Sequence, residues 1–336
     1  SAGADPGPAC YGRGNEFPTV TDCDLLLGYL DADSFLGGKM KLDRAAAEKA
    51  IQTHLADHLG ISATEAAWGV HETVTANMAQ AATIHAIERG LDATRFAMLP
   101  IGGAGPVHAC SMARKMGIAR LVCPAGAGVA SAIGMLAAAK SFEIGRAAPA
   151  ELSSLDFAKA ADLLREMAEE ASALVSSAGA EEAEVTRRFS VMMRYVGQGY
   201  EIEVPVSLEM IERQDREALS AGFSECYSNR YGRSEDMPAE LLSWRLAVTG
   251  QRSTLGATLG QRSVAGVAAP VSKTTRPVWF DAGFVETPVY KRADFGTGSR
   301  ITGPAIIEEN ESTLVLPAGF QLSVDAALNL ILETTS

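Results

Sequence analysis

Apolar positions in this chain recur with two different periods. A helical spacing runs through Arg44–Leu59 and again through Ala66, Val70, Val74, Met78, Ala81 and Ile84, a stripe expected to face a sheet. Ser62 and Glu65 precede that second stripe as an S-x-x-E capping box, which marks a helix start. A continuous apolar run, Phe96 to Ile101, then enters Gly102, Gly103, Ala104, Gly105 and Pro106, followed by an amphipathic stretch to Gly117 and a second apolar run at Leu121–Cys123. This order reads as strand, glycine turn, helix and strand, a βαβ unit of a mostly parallel sheet. The loop after Cys123 repeats the plan at Gly126 and Gly128.

Further on, Leu155–Val175 predicts a long amphipathic helix stopped by Gly179, and Arg187–Val206 predicts two strands turning at Gly197–Gly199. Gln214–Tyr231 predicts a helix, and residues 240–250 a strand. Short β runs at Val278–Phe280, Thr287–Tyr290, Ala305–Glu308, Thr313–Leu316 and Leu322–Val324 close the chain. Residues 146–154 are a boundary by composition, and 251–273, poor in large apolar residues, reads as a linker. The expected segments are therefore 1–147, an α+β domain at 148–250, the linker at 251–273, and a small β-rich unit at 274–336.

Composition narrows the function classes. With 336 residues, 47% hydrophobic and 21% charged, the chain has the make-up of an ordinary soluble globular protein. A net charge of −12 and the lack of a basic stripe with interleaved aromatics argue against nucleic acid as a partner. Five cysteines without a C-x-x-C pair indicate neither a disulfide framework nor a structural zinc site, so a cytoplasmic location is the expectation. The uncharged run Leu121–Ala139 is broken by Pro124 and glycines, which points to protein core rather than membrane.

The glycine turn is the main candidate for chemistry. Glycines at the carboxyl end of a strand let the backbone approach a ligand, and the helix that follows offers free N–H groups. A dinucleotide site would want a third glycine where His108 stands, and an acid at the end of the next strand, where Cys123-Pro124 stands. Close helix packing alone would also need such glycines. His108, in the first turn of the helix, suits a neutral hydrogen-bonding role because the helix dipole disfavours its charged form. Asp5 reads equally as a turn former or a site acid, and Asp22 as a helix cap or a site acid. Asp24 reads as a cap. Asn77, beside the apolar stripe, reads as a substrate ligand or a loop anchor. His54 and His58 stand four apart on one helix face, a spacing more often solvated than metal-binding, and Cys10 lacks a histidine nearby to activate it. Glu308, Glu309, Asn310 and Glu311 read as a solvated turn or an acidic cluster.

GGAGPVHA at 102–109 resembles the signature of the ATP-dependent hydantoinase A and 5-oxoprolinase family. SAGADPGPACYGRG at 1–14, PTVTDCDLLLGYL at 18–30, FLGGKMKLD at 35–43, RYVGQGYEIEV at 194–204 and ITGPAIIEENESTLVLPAGF at 301–320 agree with it, as does residues 76–99. The resemblance implies an α/β fold, with residues 1–147 forming the C-terminal part of an actin-like ATPase domain of the sugar kinase and Hsp70 type. It implies ATP with Mg²⁺ or another divalent metal as cofactors, and nucleotide binding at Gly102, Gly103, Ala104, Gly105, Pro106 and His108. It tips Asp5 and Asp22 toward catalysis and Asn77 toward substrate, and leaves the metal ligands unassigned. The implied reaction is ATP-dependent opening of a cyclic amide: a hydantoin, 5-oxoproline or a related lactam. The chain matches roughly the C-terminal half of such a polypeptide, so its implied partners are the missing N-terminal half, which would carry the phosphate clamps, and a hydantoinase B-type subunit. Two alternatives stand beside this reading: the nucleotide-binding subunit of an acetone or acetophenone carboxylase, and a noncatalytic assembly module.

Overall fold

The structure, a computed structural model, describes residues 2–177, 185–250, 270–272, 274–281 and 283–335. Helix α1 (Val20–Leu26) is followed by α2 (Arg44–Ile51), a π-helical turn (Gln52–Ala56), α3 (Asp57–Leu59), α4 (Ala63–Glu88) and α5 (Gly105–Met116). Then come β1 (Arg120–Cys123), α6 (Ala130–Ala137), β2 (Ser141–Glu151), α7 (Phe157–Ser177), β3 (Thr186–Tyr195), β4 (Ile202–Val206), α8 (Leu208–Glu212), α9 (Arg216–Tyr231) and β5 (Ala239–Thr249). Strands β6 (Thr274–Phe280), β7 (Gly283–Lys291), β8 (Arg300–Thr302), β9 (Ala305–Glu308), β10 (Thr313–Leu316), β11 (Phe320–Val324) and β12 (Leu330–Thr334) complete it. Among the described residues no helix is long and apolar enough to cross a membrane.

The chain forms two units, one from Ser1–Leu136 with Leu255–Ser336 and one from Ala137–Thr254. In the inserted unit, β2, β5, β3 and β4 make an antiparallel sheet in that order. Its strands alternate as the sequence predicts, with Val191, Met193, Tyr195, Leu241, Trp244 and Leu246 buried together with Leu164 and Met167 of α7 and Phe223 of α9. Asp215 caps α9 by accepting the Ala218 N–H at 2.9 Å, and Gly232 ends it at φ +76°. In the structure residues 146–154 lie inside the inserted unit, where β2 runs through 141–151 and pairs with β5. The linker expected at 251–273 and the stop at Gly179 lie outside the described residues, apart from 270–272.

The other unit has two four-stranded sheets, β1-β12-β11-β8 and β10-β9-β7-β6. The expected β-rich unit at 274–336 is built into it rather than standing apart. Strand β12 pairs antiparallel with β1, so that Leu121 faces Leu332, and Cys110, Ala113 and Leu121 share one core with Leu316, Phe320 and Leu332. A second core joins Leu27, Ile51, Ala67 and Val107 to Val278, Ile306 and Val315. Burial of a full aliphatic side chain contributes about 1.5–3 kcal/mol, and both halves of this unit need the other to achieve it.

The expected mostly parallel sheet is corrected here. Its first strand reduces to one parallel bridge between Met98 and Leu121, while Phe96, Leu99 and Ile101 stay exposed. Among the named strands, only β7 and β9 pair in parallel. The capping box of α4 is present, with Ser62 and Glu65 exchanging hydrogen bonds. Its buried face, however, runs through Ala63, Ala67, His71, Thr75 and Ala79, one step round from the stripe of larger apolar residues, and Ile84 is exposed.

One close approach locks the two parts of this unit. Gly28 has φ +80°, and a Cβ there would lie 2.3 Å from the Pro277 carbonyl oxygen. Arg276 beside it donates to the Gly28 and Tyr29 carbonyls at 2.8 and 2.9 Å and pairs with Glu308. Gly28→Ala should therefore lower the unfolding free energy by about 2–3 kcal/mol, through a strained backbone and a steric clash. Urea denaturation checks this; a midpoint unchanged from wild type would show that the 28–277 contact does not hold the unit together.

Candidate functional site at the glycine turn

A cavity of about 240 Å³ opens beside the turn. Gly103, Ala104 and Val107 form one wall, Tyr11, Thr21 and Asp24 another, and Asp31 with Glu308–Thr313 the rest. The turn itself is set by Gly102, at φ +88°, whose N–H donates to the Ala127 carbonyl at 2.8 Å. Helix α5 starts directly after it, with Pro106 in its first turn, where a missing N–H costs nothing. Gly103 and Gly128 both press on Glu311: Cβ atoms added there would come within 3.3 and 2.7 Å of it. These glycines let the acidic loop close down on the turn.

That loop is solvated only in part: Asn310 and Glu311 are exposed, while the two residues before them are not. Glu308 pairs with Arg276, and Glu309 pairs with Arg292 at 2.9 Å, all four side chains being largely buried. Arg292 also donates to the Leu328 carbonyl at 2.8 Å. Burial pushes the Glu309 carboxyl up, against the pull of Arg292. For Asp31, burial also works upward, but the N–H groups of Asp33 and Ser34 and the charge of Arg276 outweigh it and hold the carboxyl low.

Behind the turn stands a cluster that the sequence reading did not assemble. Asp24 on α1 is 2% exposed, His71 on α4 is 1% exposed and His108 on α5 is 3% exposed. His71 Nδ1–H donates to Asp24 Oδ1 at 2.9 Å, and His108 Nε2 lies 3.7 Å from Asp24 Oδ2. The two rings stack at 4.4 Å between centroids and 21°, with Trp68 stacked on His71 in turn. Thr75 donates to the His71 carbonyl at 2.7 Å and meets His108 Nδ1 at 3.1 Å. Burial holds the His108 pKa below its ordinary value, with Asp24 opposing and His71 assisting. This agrees with the neutral role expected for His108, although its ring turns toward Asp24 and Thr75 in the core.

The remaining sequence candidates are scattered. Asp22 is fully buried and accepts four hydrogen bonds: from the N–H groups of Ala9, Cys10 and Thr19 and from the Thr19 hydroxyl, at 2.7–3.2 Å. Its acceptor sites are occupied by the chain itself, so it braces α1 against the 9–11 turn and does not line the cavity. Asp5 is exposed in the N-terminal loop, away from the cavity wall, and Asn77 is exposed on α4. His54 packs on Phe17 and joins no cluster. The Cys10 thiol is pushed up by burial and by Asp22, which suits an inert core residue. His71 and Thr75 had a readable signal: polar residues at i and i+4 among small ones, on the side of α4 that small residues let approach its neighbours.

The site is thus a glycine turn over a cavity in a mixed α/β fold. The sequence profile of the hydantoinase/oxoprolinase family matches residues 1–144, and that of the hydantoinase/oxoprolinase C-terminal domain matches 154–334. The chain belongs to this family. It is 34% identical to an uncharacterized protein of Methanocaldococcus jannaschii, over 97% of this chain and 46% of that one. It is 31% identical to caprolactamase subunit alpha of Pseudomonas jessenii, over 97% and 47%. Among solved structures it is similar to nucleotide-free acetone carboxylase, at TM-score 0.77 and 26% identity, and to the ATP-dependent caprolactamase of Pseudomonas jessenii, at 0.73 and 30%. All of this chain and 49% of the other are covered in each case. The chain thus spans about half the length of the curated relatives it matches.

Asp22→Asn should cost about 2 kcal/mol of stability, because an amide turns a donor toward N–H groups that need acceptors. A thermal melt of the variant at wild-type temperature would remove the bracing role.

Proposed function

We propose that this chain contributes the adenosine side of an ATP site to an enzyme that opens a cyclic amide, a lactam or hydantoin, at the expense of ATP. The observation that carries the reading is the cavity between the glycine turn and the acidic loop. The bare backbone of Gly103 and the small methyl of Ala104 offer a flat wall for a purine, and carboxylates accept hydrogen bonds from ribose hydroxyls. The same carboxylates would repel a triphosphate unless a hard cation such as Mg²⁺ stood between them. The wall therefore suits the uncharged end of the nucleotide, within an actin-like ATPase arrangement whose phosphate-binding segments would come from a further polypeptide half.

Phosphorylation of the amide oxygen by ATP would make the ring carbon electrophilic: water would add to it, the ring nitrogen would take up a proton and leave as the amine, and the acyl phosphate left behind would be hydrolysed by a second water to carboxylate and phosphate. The protein's share in such a transfer is positioning and electrostatics. Relatives named as subunits support partnership, with the missing N-terminal half of the polypeptide and a B-type subunit as the expected partners. A ketone carboxylase is the second reading, because the higher TM-score belongs to acetone carboxylase while the higher identity belongs to caprolactamase.

The test is ADP release by the reassembled complex with Mg·ATP and either caprolactam, hydantoin or 5-oxoproline, or a ketone plus bicarbonate. Turnover is expected with a cyclic amide; turnover with the ketone alone would move the assignment to the second reading, and ATP binding without any turnover would favour an assembly module. Within the complex, Ala104→Leu is expected to weaken ATP at least tenfold in calorimetric titration while leaving the fold intact, since Ala104 is exposed in the cavity wall. Gly103→Val would press on Glu311 as well, so Ala104 gives the cleaner result. Wild-type affinity in Ala104→Leu would take the turn out of the nucleotide site.

A further inference from the structure

We propose that Asp24, His71 and His108 form a binding site for a first-row divalent cation of the zinc class, separate from any Mg²⁺ carried on nucleotide phosphates. Two imidazoles and a carboxylate are a donor set that suits zinc, iron or cobalt rather than magnesium. Their ligand atoms lie within 4.8 Å of one another, although the residues come from three helices, and because the two rings are stacked, one of them has to turn for both lone pairs to meet on an ion.

The hydrogen bonds fix which atoms hold protons. The Thr75 hydroxyl proton is committed to the His71 carbonyl, which can only accept, so Thr75 Oγ1 must accept from His108 Nδ1–H. A neutral His108 then carries its lone pair on Nε2, and this lone pair faces Asp24 Oδ2, another acceptor, across 3.7 Å. That separation is too long for a hydrogen bond. It is close to the spacing of two ligands on one ion, because donors at about 2.1 Å from a tetrahedral metal stand about 3.4 Å apart.

Charge points the same way. Asp24 is 2% exposed, and among the described residues its ion-pair partners are these two histidines, with no lysine or arginine. A buried carboxylate without a compensating cation is costly. Metal binding would supply that charge, with the proton on Nδ1 of the neutral His71 ring moving to its Nε2. Thr75 is a positioning residue here, holding the His108 tautomer as outer partners of metal-bound histidines do. Three protein donors leave a tetrahedral ion one position short, and Asp24 itself lies in the cavity wall.

The experiment uses the full chain, stripped with a chelator, dialysed and titrated with Co²⁺ under visible absorption. One equivalent should bind with ligand-field bands and be displaced by Zn²⁺. His108→Gln should abolish the bands, and Thr75→Val should weaken Co²⁺ by 10- to 100-fold while far-UV circular dichroism stays native. His54→Ala/His58→Ala, on the exposed pair, should bind as wild type. The site is overturned if the wild-type chain shows no saturable bands, if the bands survive His108→Gln, or if they vanish in the His54/His58 variant. Should His108→Gln fail to fold, the wild-type titration and Thr75→Val decide alone, and unchanged affinity in Thr75→Val counts against the site.

Discussion

A carboxylate at 2% exposure is the constraint around which the glycine turn is arranged. Asp24 faces two imidazoles from α4 and α5, and those helices can bring their histidines to it only by approaching α1 closely. Ala63 and Ala67 on α4 are buried small residues in the core that joins Leu26 and Leu27 of α1 to Val107 of α5. The position of α5 then determines where its first residues, and the turn before them, meet the cavity. A polar interaction in the core thus places a backbone feature at the surface, and the cost of leaving Asp24 uncompensated makes that placement stringent.

The second constraint comes from the other end of the chain. Glu308 and Glu309 are each matched to an arginine, and these arginines also bind backbone carbonyls, at Gly28 and Tyr29 for Arg276 and at Leu328 for Arg292. The acidic loop is consequently part of the architecture of the turn, held against Gly103 and Gly128. Profile boundaries at 144 and 154 fall within the inserted unit, and the C-terminal family segment contributes strands to both units. A sequence-family domain and a folding unit do not coincide here.

Local signals in the sequence carried much of the fold. The caps at Ser62 and Asp215, the helices α7 and α9, and the short C-terminal strands follow from periodicity and capping that any neighbouring chain would leave unchanged. What escaped was long-range. The pairing of β1 with β12 joins positions more than two hundred residues apart, and an apolar run such as Phe96–Ile101 looks the same whether a strand forms there or not. Near the cavity, the turn was legible because glycines and proline punctuate the pattern, whereas His108, expected beside a nucleotide, turns into the core toward Asp24 and Thr75. Asp22 and Asp24 are two residues apart on one short helix, and only the fold tells which of them meets backbone N–H groups and which meets histidines.

The acidity of the cavity bears on how labour is divided in such an enzyme. Phosphoryl transfer needs positive charge around the γ-phosphate, and the wall formed by Asp31 and the 308–311 loop provides the reverse. A nucleotide lying on this wall would be oriented by it, adenosine inward to the turn and phosphates outward, because repulsion disfavours the opposite pose. The negative wall would then act as a directional element as well as a binding surface, sending the reactive end of ATP toward whatever segment supplies the positive groups.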